Sequence, residues 1–179
     1  ALEHLLEVIE IILIRVHHRT MSNRIRRWSY GTKPLRVTDI CTMPQNESHR
    51  RILVTGGAGF IGSHTVVALA EAGYIPVIVD DLRNSQPEVL DGLERILGHR
   101  VEFHAVDCAD EAGMEAVFEA PVYGAIHFAA DKAVGESVEA PEKYFSNNIG
   151  ATAKLTHMLR KAGVQHLVFS SSCTVYGEA

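Results

Sequence analysis

The sequence has few cysteines, and their arrangement matches no structural or metal-binding pattern. Its 179 residues include three, Cys41, Cys108 and Cys173, which lie far apart and are odd in number. The ten histidines are scattered, without the short paired spacing of a metal site. These absences exclude a disulfide-stapled secreted domain and predict no metal. They favour a reducing compartment, and we expect the cytoplasm.

An excess of basic residues is missing as well. The net charge of the whole chain is −5, and residues 50–179 carry ten Lys or Arg against seventeen Asp or Glu. A mildly acidic balance of this kind argues against nucleic acid as a partner.

No apolar run near the start of the chain is long enough to cross a membrane. Residues 5–16 are mostly apolar but are interrupted by Glu7, Glu10 and Arg15. This run is too short and too charged for a transmembrane helix, so no membrane partner is predicted. It also lacks the basic lead and the small-residue cleavage site of a signal peptide.

Residues 1–49 differ in composition from the rest of the chain. Residues 15–36 contain seven Arg or Lys and no acidic residue. One interpretation is an organelle transit peptide, which is rich in arginine and poor in acids. The other, which we favour, is upstream sequence that is not native to the protein, with Met43 as the natural start. We expect residues 1–49 to be disordered or non-native, and allow for an amphipathic helix near residues 2–16.

The densest glycine cluster lies between a strand pattern and a helix pattern. Residues 52–54 are apolar, glycines follow at positions 56, 57, 59 and 62, and residues 63–73 have helical spacing. Glycine permits a tight turn and lets a diphosphate approach the main chain, while the helix N-terminus favours an anion. Two registers fit, Gly56-x-x-Gly59-x-x-Gly62 and Gly57-x-Gly59-x-x-Gly62. The plain alternative is a tight turn that binds nothing.

An acidic pair ends the next apolar run. Asp80 and Asp81 follow residues 75–79 and come shortly after the glycine cluster. A carboxylate at this position accepts hydrogen bonds from the ribose diol of adenosine and repels a 2′-phosphate. The sequence therefore favours NAD over NADP, although Arg83 nearby points the other way.

Strand and helix patterns alternate from residue 51 onward, in a chain whose 46% of hydrophobic residues can supply a core. Strands are predicted at residues 52–55, 75–79, 101–106, 125–128 and 166–170. Helices are predicted at residues 61–73, 88–97 and 109–118 and within residues 136–162, with a helical turn beginning at Pro141. This order predicts an α/β fold with a doubly wound parallel sheet. Polar or small residues follow all five strands, at the edge where such a sheet binds its ligand.

Four stretches of the chain resemble one known family. They are Val-Thr-Gly-Gly-Ala-Gly-Phe-Ile-Gly-Ser-His-Thr at residues 54–65, residues 126–130 together with 132–137, the pair Asn147-Asn148, and Phe-Ser-Ser-Ser-Cys-Thr-Val-Tyr-Gly at residues 169–177. Together they resemble the extended short-chain dehydrogenase/reductases. Residues 132–137 and the serine string are the most specific, and resemble the members that epimerise a UDP-hexose at C4.

The resemblance implies a Rossmann-type NAD-binding domain and an isomerase activity. Hydride leaves C4 of the UDP-hexose, the 4-keto sugar turns over, and hydride returns to its other face, which interconverts UDP-glucose and UDP-galactose. A homodimeric whole protein is also expected. One alternative is another nucleotide-sugar epimerase or a dehydratase, although Cys173 and Thr174 stand where a 4,6-dehydratase has an Asp-Glu pair. The other is a non-catalytic NAD-binding module.

The resemblance also implies roles for individual residues. The expected cofactor-binding residues are Gly56, Gly59, Phe60, Ile61, Gly62, Asp80, Asn84, Ser85, Asp107, Cys108, Phe128, Ala129, Ala130, Lys132, Asn147 and Ser170. Ser172 is expected to be catalytic, bonding the 4-hydroxyl of the sugar and aiding its proton transfer. A solvated surface charge is the plain alternative for Lys132, and ordinary turn chemistry is the alternative for Ser172.

The residues that carry the general base in the family are not found in this sequence. The family uses a tyrosine with a lysine four residues later, a pair that is expected beyond Ala179. Tyr176 has no lysine at that spacing after it. We therefore expect residues 50–179 to be an incomplete NAD-binding domain that lacks this pair and the substrate lobe.

Overall fold

The computed structural model describes residues 51–171, which contain a five-stranded sheet. The strands are β1 (Arg51–Thr55), β2 (Ile75–Val79), β3 (Glu102–His104), β4 (Gly124–His127) and β5 (His166–Phe169). All neighbouring strands are parallel, in the order β3-β2-β1-β4-β5. The chain winds outward from β1 first to one side and then to the other, so the predicted doubly wound parallel sheet is confirmed.

Helices connect the strands, as parallel pairing requires. They are α1 (Phe60–Glu71), α2 (Glu88–Leu97), α3 (Glu111–Met114), α4 (Val134–Glu139), α5 (Pro141–Tyr144) and α6 (Ala151–Lys161). A 3₁₀ turn, Ala116–Phe118, follows α3, and a π-helical turn, Phe145–Gly150, joins α5 to α6. Gly98 ends α2 in the left-handed conformation with φ 76°, which glycine adopts without strain.

The three central strands are buried because helices cover both faces of the sheet. On one face Ile52, Val54, Ile78 and Ile126 pack with side chains of α1 and α2. On the other face Leu53, Val77, Val79 and Ala125 pack with side chains of α3, the 3₁₀ turn and α6. Burying each of the larger aliphatic side chains stabilises the fold by roughly 1.5–3 kcal/mol. This two-sided burial explains why β1 and β2 read as continuous apolar runs.

Two predicted elements are shorter than expected. Residues 109–118 do not form one helix, because Asp107 and Asp110 hold the chain in turns until residue 110: Ala109 N–H donates to Asp107 Oδ1 at 2.8 Å and Ala112 N–H to Asp110 Oδ1 at 3.2 Å. The tighter 3₁₀ turn then follows α3, and Met114 and Val117, three residues apart, are both fully buried. Strand β3 spans three residues instead of the predicted six.

The predicted helix within residues 136–162 is broken at Ala140 and changes to π-helical geometry at Phe145–Gly150. Ala140 takes φ −134° and ψ 63° and separates α4 from α5, because the residue before a proline is disfavoured in helical geometry. Pro141 begins α5, so the predicted helical turn there is confirmed. The π-helical turn that follows was not predicted. The expected extension at residues 1–49, its helix near residues 2–16, and Ser172 lie outside the described residues.

Candidate functional site

The glycine turn after β1 is packed too closely for larger residues. Gly56 has φ +69°, and a Cβ added to it would lie 2.8 Å from the backbone nitrogen of Ala129. A Cβ on Gly62 would lie 2.1 Å from the carbonyl oxygen of Gly56. Gly57 is buried against β2, whereas Gly56 and Gly59 line an open cleft. This arrangement favours the register Gly56-x-x-Gly59-x-x-Gly62.

The N-terminus of α1 opens onto this turn without a capping side chain. Gly59 is the N-cap residue, it supplies no side-chain hydrogen bond, and the first turn of α1 contains no acidic residue. Its backbone N–H groups and the helix dipole therefore favour an anion at this end. Gly59, which lines the cleft without a side chain, and the uncapped helix together fit the diphosphate of a dinucleotide.

Asp80 connects the glycine turn to the loop after β2. The residue is only 8% exposed, and its two carboxylate oxygens accept from three donors. Oδ2 accepts from Ala58 N–H at 3.0 Å and from the Ser85 hydroxyl at 3.3 Å. Oδ1 accepts from Leu82 N–H at 2.9 Å. Asp80 thus stabilises the two loops that form one wall of the cleft, in addition to lining the cleft itself.

Arg83 bridges the cleft near Asp80. Its guanidinium donates to Asp81, to Asp107 Oδ2 at 2.6 Å and to Asn147 Oδ1 at 3.2 Å. The hydrogen bond to Asp81, followed by that to Asp107, raises the pKa of Arg83 above its ordinary value. Two carboxylates therefore share the charge of Arg83, which leaves less of it to attract a 2′-phosphate. This pairing reduces the argument for NADP that Arg83 raised in the sequence.

The loop after β4 is held by the π-helical turn. The side-chain amide of Asn148 clasps the backbone of Asp131: Asp131 N–H donates to Asn148 Oδ1 at 2.8 Å, and Asn148 Nδ2 donates to the Asp131 carbonyl at 2.9 Å. Asn147, the preceding residue, faces the cleft and donates to the Asp131 carboxylate. This clasp fixes residues 128–132 along the second wall of the cleft.

A buried histidine connects the floor of the site to the π-helical turn. His127 is 2% exposed; its Nδ1 lies 2.6 Å from the Thr55 hydroxyl and its Nε2 3.1 Å from the Thr152 hydroxyl. Thr152 donates its proton to the Asn148 carbonyl at 2.5 Å, so Nε2 carries the ring proton and Nδ1 accepts from Thr55. Burial lowers the pKa of His127, which keeps the ring neutral.

Cys108 is a buried thiol at the edge of the cleft. Burial first, and then the charges of Asp107 and Asp81, raise the pKa of Cys108 to about 12. The thiolate is the reactive form of cysteine, so this side chain acts as an apolar surface and not as a nucleophile.

The structure brings most of the predicted cofactor residues together. The cleft is lined by Gly56, Gly59, Phe60, Asp80, Asn84, Ser85, Asp107, Cys108, Phe128, Ala129, Ala130, Lys132 and Asn147. Three predicted residues do not line it. Ile61 is exposed on α1, Gly62 packs against Gly56, and Ser170 follows β5, where its N–H donates to the His127 carbonyl at 3.1 Å. Direct contact of each residue with a cofactor stays a prediction.

Three residues of the site were not assigned from the sequence. Arg83, Asp131 and Asn148 hold the walls of the cleft through contacts between distant segments. The sequence offered one signal for each: Arg83 follows β2, Asp131 follows β4, and Asn148 is next to the predicted site residue Asn147. Within residues 51–171, no group of three or more His, Cys, Asp or Glu side chains is placed to hold a metal ion. In the same range, no helix has the length and apolar character needed to cross a bilayer.

Comparison with known proteins matches residues 52–179 to the NAD dependent epimerase/dehydratase family. The UDP-glucose 4-epimerase of Dictyostelium discoideum is 54% identical over 129 residues, which are 72% of this chain and 38% of that protein. The human UDP-glucose 4-epimerase is 46% identical over 134 residues, covering 71% of this chain and 38% of that protein. The chain thus spans less than two fifths of the length of these curated relatives.

Solved structures agree with this match. The crystal structure of UDP-glucose 4-epimerase from Bifidobacterium longum, in complex with NAD+ and UDP, is 47% identical and superposes with a TM-score of 0.69, over 71% of this chain and 38% of that one. The predicted resemblance is confirmed, as is NAD, the cofactor for which the family is named. The chain belongs to the NAD dependent epimerase/dehydratase family.

Proposed function

We propose that this chain is the cofactor-binding part of a protein that inverts C4 of a UDP-hexose, interconverting UDP-glucose and UDP-galactose. The observation that carries the proposal is the cleft itself. It runs from the uncapped N-terminus of α1, past the acidic end of β2, to the loop after β4. Relatives named UDP-glucose 4-epimerase, at 46–54% identity, support this choice among the activities of the family.

In this proposal the two ends of the cleft hold different parts of the cofactor. The turn from Gly56 to Phe60 and the N-terminus of α1 bind the diphosphate. Asp80, with Asn84 and Ser85, holds the adenosine ribose, while Asp107 and Cys108 flank the adenine.

The loop after β4, with Lys132 and Asn147, lines the nicotinamide side. Bound NAD supplies the hydride acceptor and donor, while the chain orients it against the sugar. Two features support the placement of the diphosphate, namely the position of Gly59, without a side chain, on the cleft and the absence of acids in the first turn of α1.

The proton-transfer groups of the reaction are the part of the proposal that rests on sequence alone. Ser172 is proposed to bond the 4-hydroxyl, and the base is proposed to be a tyrosine–lysine pair outside this sequence. A positioned base typically contributes about 10²–10⁴-fold to rate, so the 179-residue chain alone should have no useful epimerase activity. A homodimeric whole protein and a cytoplasmic location also stay predictions.

A chimera tests the proposal in a complete protein. Residues 52–179 replace the matching segment of the Dictyostelium discoideum UDP-glucose 4-epimerase, and conversion of UDP-galactose to UDP-glucose is followed by chromatography. We expect the chimera to turn over substrate within about tenfold of the parent enzyme, because each wall of the cleft comes intact from this chain.

The matched control is the same chimera carrying Asp80→Ala. Loss of a carboxylate that accepts hydrogen bonds should weaken NAD binding by ~1.5–3 kcal/mol. A chimera that folds and binds UDP-galactose but neither retains NAD nor turns over substrate would contradict the proposal. Activity on a different nucleotide sugar alone would move the proposal to another epimerase of the family.

A further inference from the structure

Asp131 is a buried charge that the proposed cofactor contacts do not use. It is 7% exposed and lines the cleft together with its neighbours Ala130 and Lys132. A buried carboxylate is tolerated only where hydrogen-bond donors replace the water it has lost. The identity of those donors therefore shows what this side chain does.

The donors are two side-chain amides from different segments of the chain. Asn84, in the loop after β2, donates from Nδ2 to Asp131 Oδ1 at 3.3 Å. Asn147, in the π-helical turn, donates from Nδ2 to Asp131 Oδ2 at 3.0 Å. Each carboxylate oxygen thus accepts from one amide that also lines the cleft.

An ionised carboxylate only accepts hydrogen bonds, so it determines which end of each amide faces it. Both asparagines must turn their NH₂ groups toward Asp131, and their carbonyl oxygens then face elsewhere. For Asn147 the other end is also fixed, because its Oδ1 accepts from the Arg83 guanidinium at 3.2 Å. The order of groups is Asp131, then the Asn147 amide, then Arg83.

We propose that Asp131 is a positioning residue that fixes the orientation of the Asn84 and Asn147 amides, so that this part of the cleft offers carbonyl oxygens to hydroxyl and amino donors of the dinucleotide. The inference rests on the proposed binding of NAD. It assigns to Asp131, which itself lines the cleft, an effect on NAD affinity that is exerted through the two asparagines. The π-helical turn contributes by placing consecutive residues on Asp131, Asn147 on its carboxylate and Asn148 on its backbone.

Asp131→Asn tests the proposal because it preserves size and removes the acceptor-only character. The amide at position 131 has one oxygen and one NH₂ group. It can accept a hydrogen bond from only one of the two NH₂ groups of Asn84 and Asn147, and it presents a second donor to the other. One of the two asparagines must then flip: if the new NH₂ group faces Asn84, the Asn84 amide turns over, and if it faces Asn147, Asn147 presents its own NH₂ group to Arg83, which is also a donor. We expect NAD to bind the D131N variant of the 179-residue chain about tenfold more weakly by calorimetry, the effect of one hydrogen bond to a charged group.

The reciprocal swap, Asp131→Asn with Asn147→Asp, is the matched rescue. Position 131 then donates to the carboxylate at position 147 and still accepts from Asn84, and the carboxylate still accepts from Arg83. Net charge and both hydrogen bonds are restored, so we expect the swap to bind NAD more tightly than D131N, although Asn147 itself lines the cleft. Unchanged affinity in D131N, or a swap that folds with the parent's melting temperature and binds as weakly as D131N, would overturn the proposal.

A measurement without cofactor separates this inference from the proposed function. In the ligand-free parent, NMR should show the side-chain NH₂ protons of Asn84 and Asn147 slowed in solvent exchange, and D131N should accelerate the exchange of at least one pair. If the parent binds no NAD, the proposed function fails, and these signals alone decide the positioning role. Rapid exchange of both pairs in the parent would refute it.

Discussion

Replacing Gly62 with alanine should force α1 away from the glycine turn. The added Cβ would lie 2.1 Å from the Gly56 carbonyl oxygen, 2.8 Å from Gly57 Cα and 2.9 Å from the Gly56 carbonyl carbon. All three are backbone atoms, so no side-chain rotation can relieve the contact. The helix would have to shift relative to β1, at the point where its N-terminus faces the cleft.

The size of the effect can be estimated against a second helical glycine. Overpacking of a close-packed site typically costs ~1–3 kcal/mol, and contact with fixed backbone places Gly62→Ala at the upper end. Gly92 lies within α2 and has no atom within 4 Å of an added Cβ. Since alanine is favoured over glycine in helices by about 0.5–1 kcal/mol, Gly92→Ala should stabilise the chain. Both variants gain the preference of helices for alanine, so this contribution largely cancels when they are compared. The unfolding free energy of Gly62→Ala should then be lower than that of Gly92→Ala by about 3 kcal/mol, owing to packing.

Urea unfolding of the two variants and the parent chain, followed by circular dichroism, measures this difference. We expect the transition midpoint to fall for Gly62→Ala and to rise for Gly92→Ala, with similar slopes. NAD titration of folded Gly62→Ala should also show weaker binding, since the helix N-terminus has moved. Unfolding free energies of the two variants within about 0.5 kcal/mol of each other would refute the packing argument.

Three further predictions concern titratable groups of the site. Burial lowers the pKa of His127 in the folded chain, whereas in the unfolded chain the ordinary value of about 6.5 applies. The free energy of unfolding should therefore decrease as the pH falls from about 6.5 toward the lowered pKa. His127→Gln should flatten the dependence of the melting temperature on pH, and the same dependence in the variant and the unmutated chain would contradict this. Cys108 has a pKa raised to about 12, so in a chain carrying Cys41→Ser and Cys173→Ser a thiol reagent should label it only after unfolding; rapid labelling of the native chain would oppose the prediction. The unmutated chain should bind NAD more tightly than NADP, and calorimetry showing tighter binding of NADP would contradict this prediction. Asp81→Ala should reduce the ratio of the two affinities, because it frees Arg83 from one of its carboxylate partners.

The features that the sequence predicted well depend on neighbouring residues. The glycine spacing, the Asp80-Asp81 pair and the apolar runs of β1 and β2 each lie within about a dozen residues, where periodicity and turn chemistry are informative. The strand β2 and the helix α2 were predicted with the same bounds as observed. The cleft followed from the same information, because the carboxyl ends of parallel strands meet at one edge.

The features that were missed depend on contacts between distant segments. Asp131 bonds to Asn84 across 47 residues of sequence and to Asn147 across 16. No local pattern indicates such a pairing, and a lone acid after a strand is as consistent with an ordinary loop. The π-helical turn was missed because helix propensity does not indicate it. The turn is associated with the long-range hydrogen bonds of Asn148 to the Asp131 backbone.

Nitrogen-15 NMR titration of the 179-residue chain with NAD tests the central claim most directly. If the cleft binds NAD, the backbone amides of Gly59, Phe60 and Ala130 should shift progressively and saturate, because they lie at the uncapped helix and the facing loop. The amides of Gly92 and Gly98, in and at the end of α2, should stay unchanged. Shifts that are absent from the first group, or that centre on the second, would contradict the account of the site.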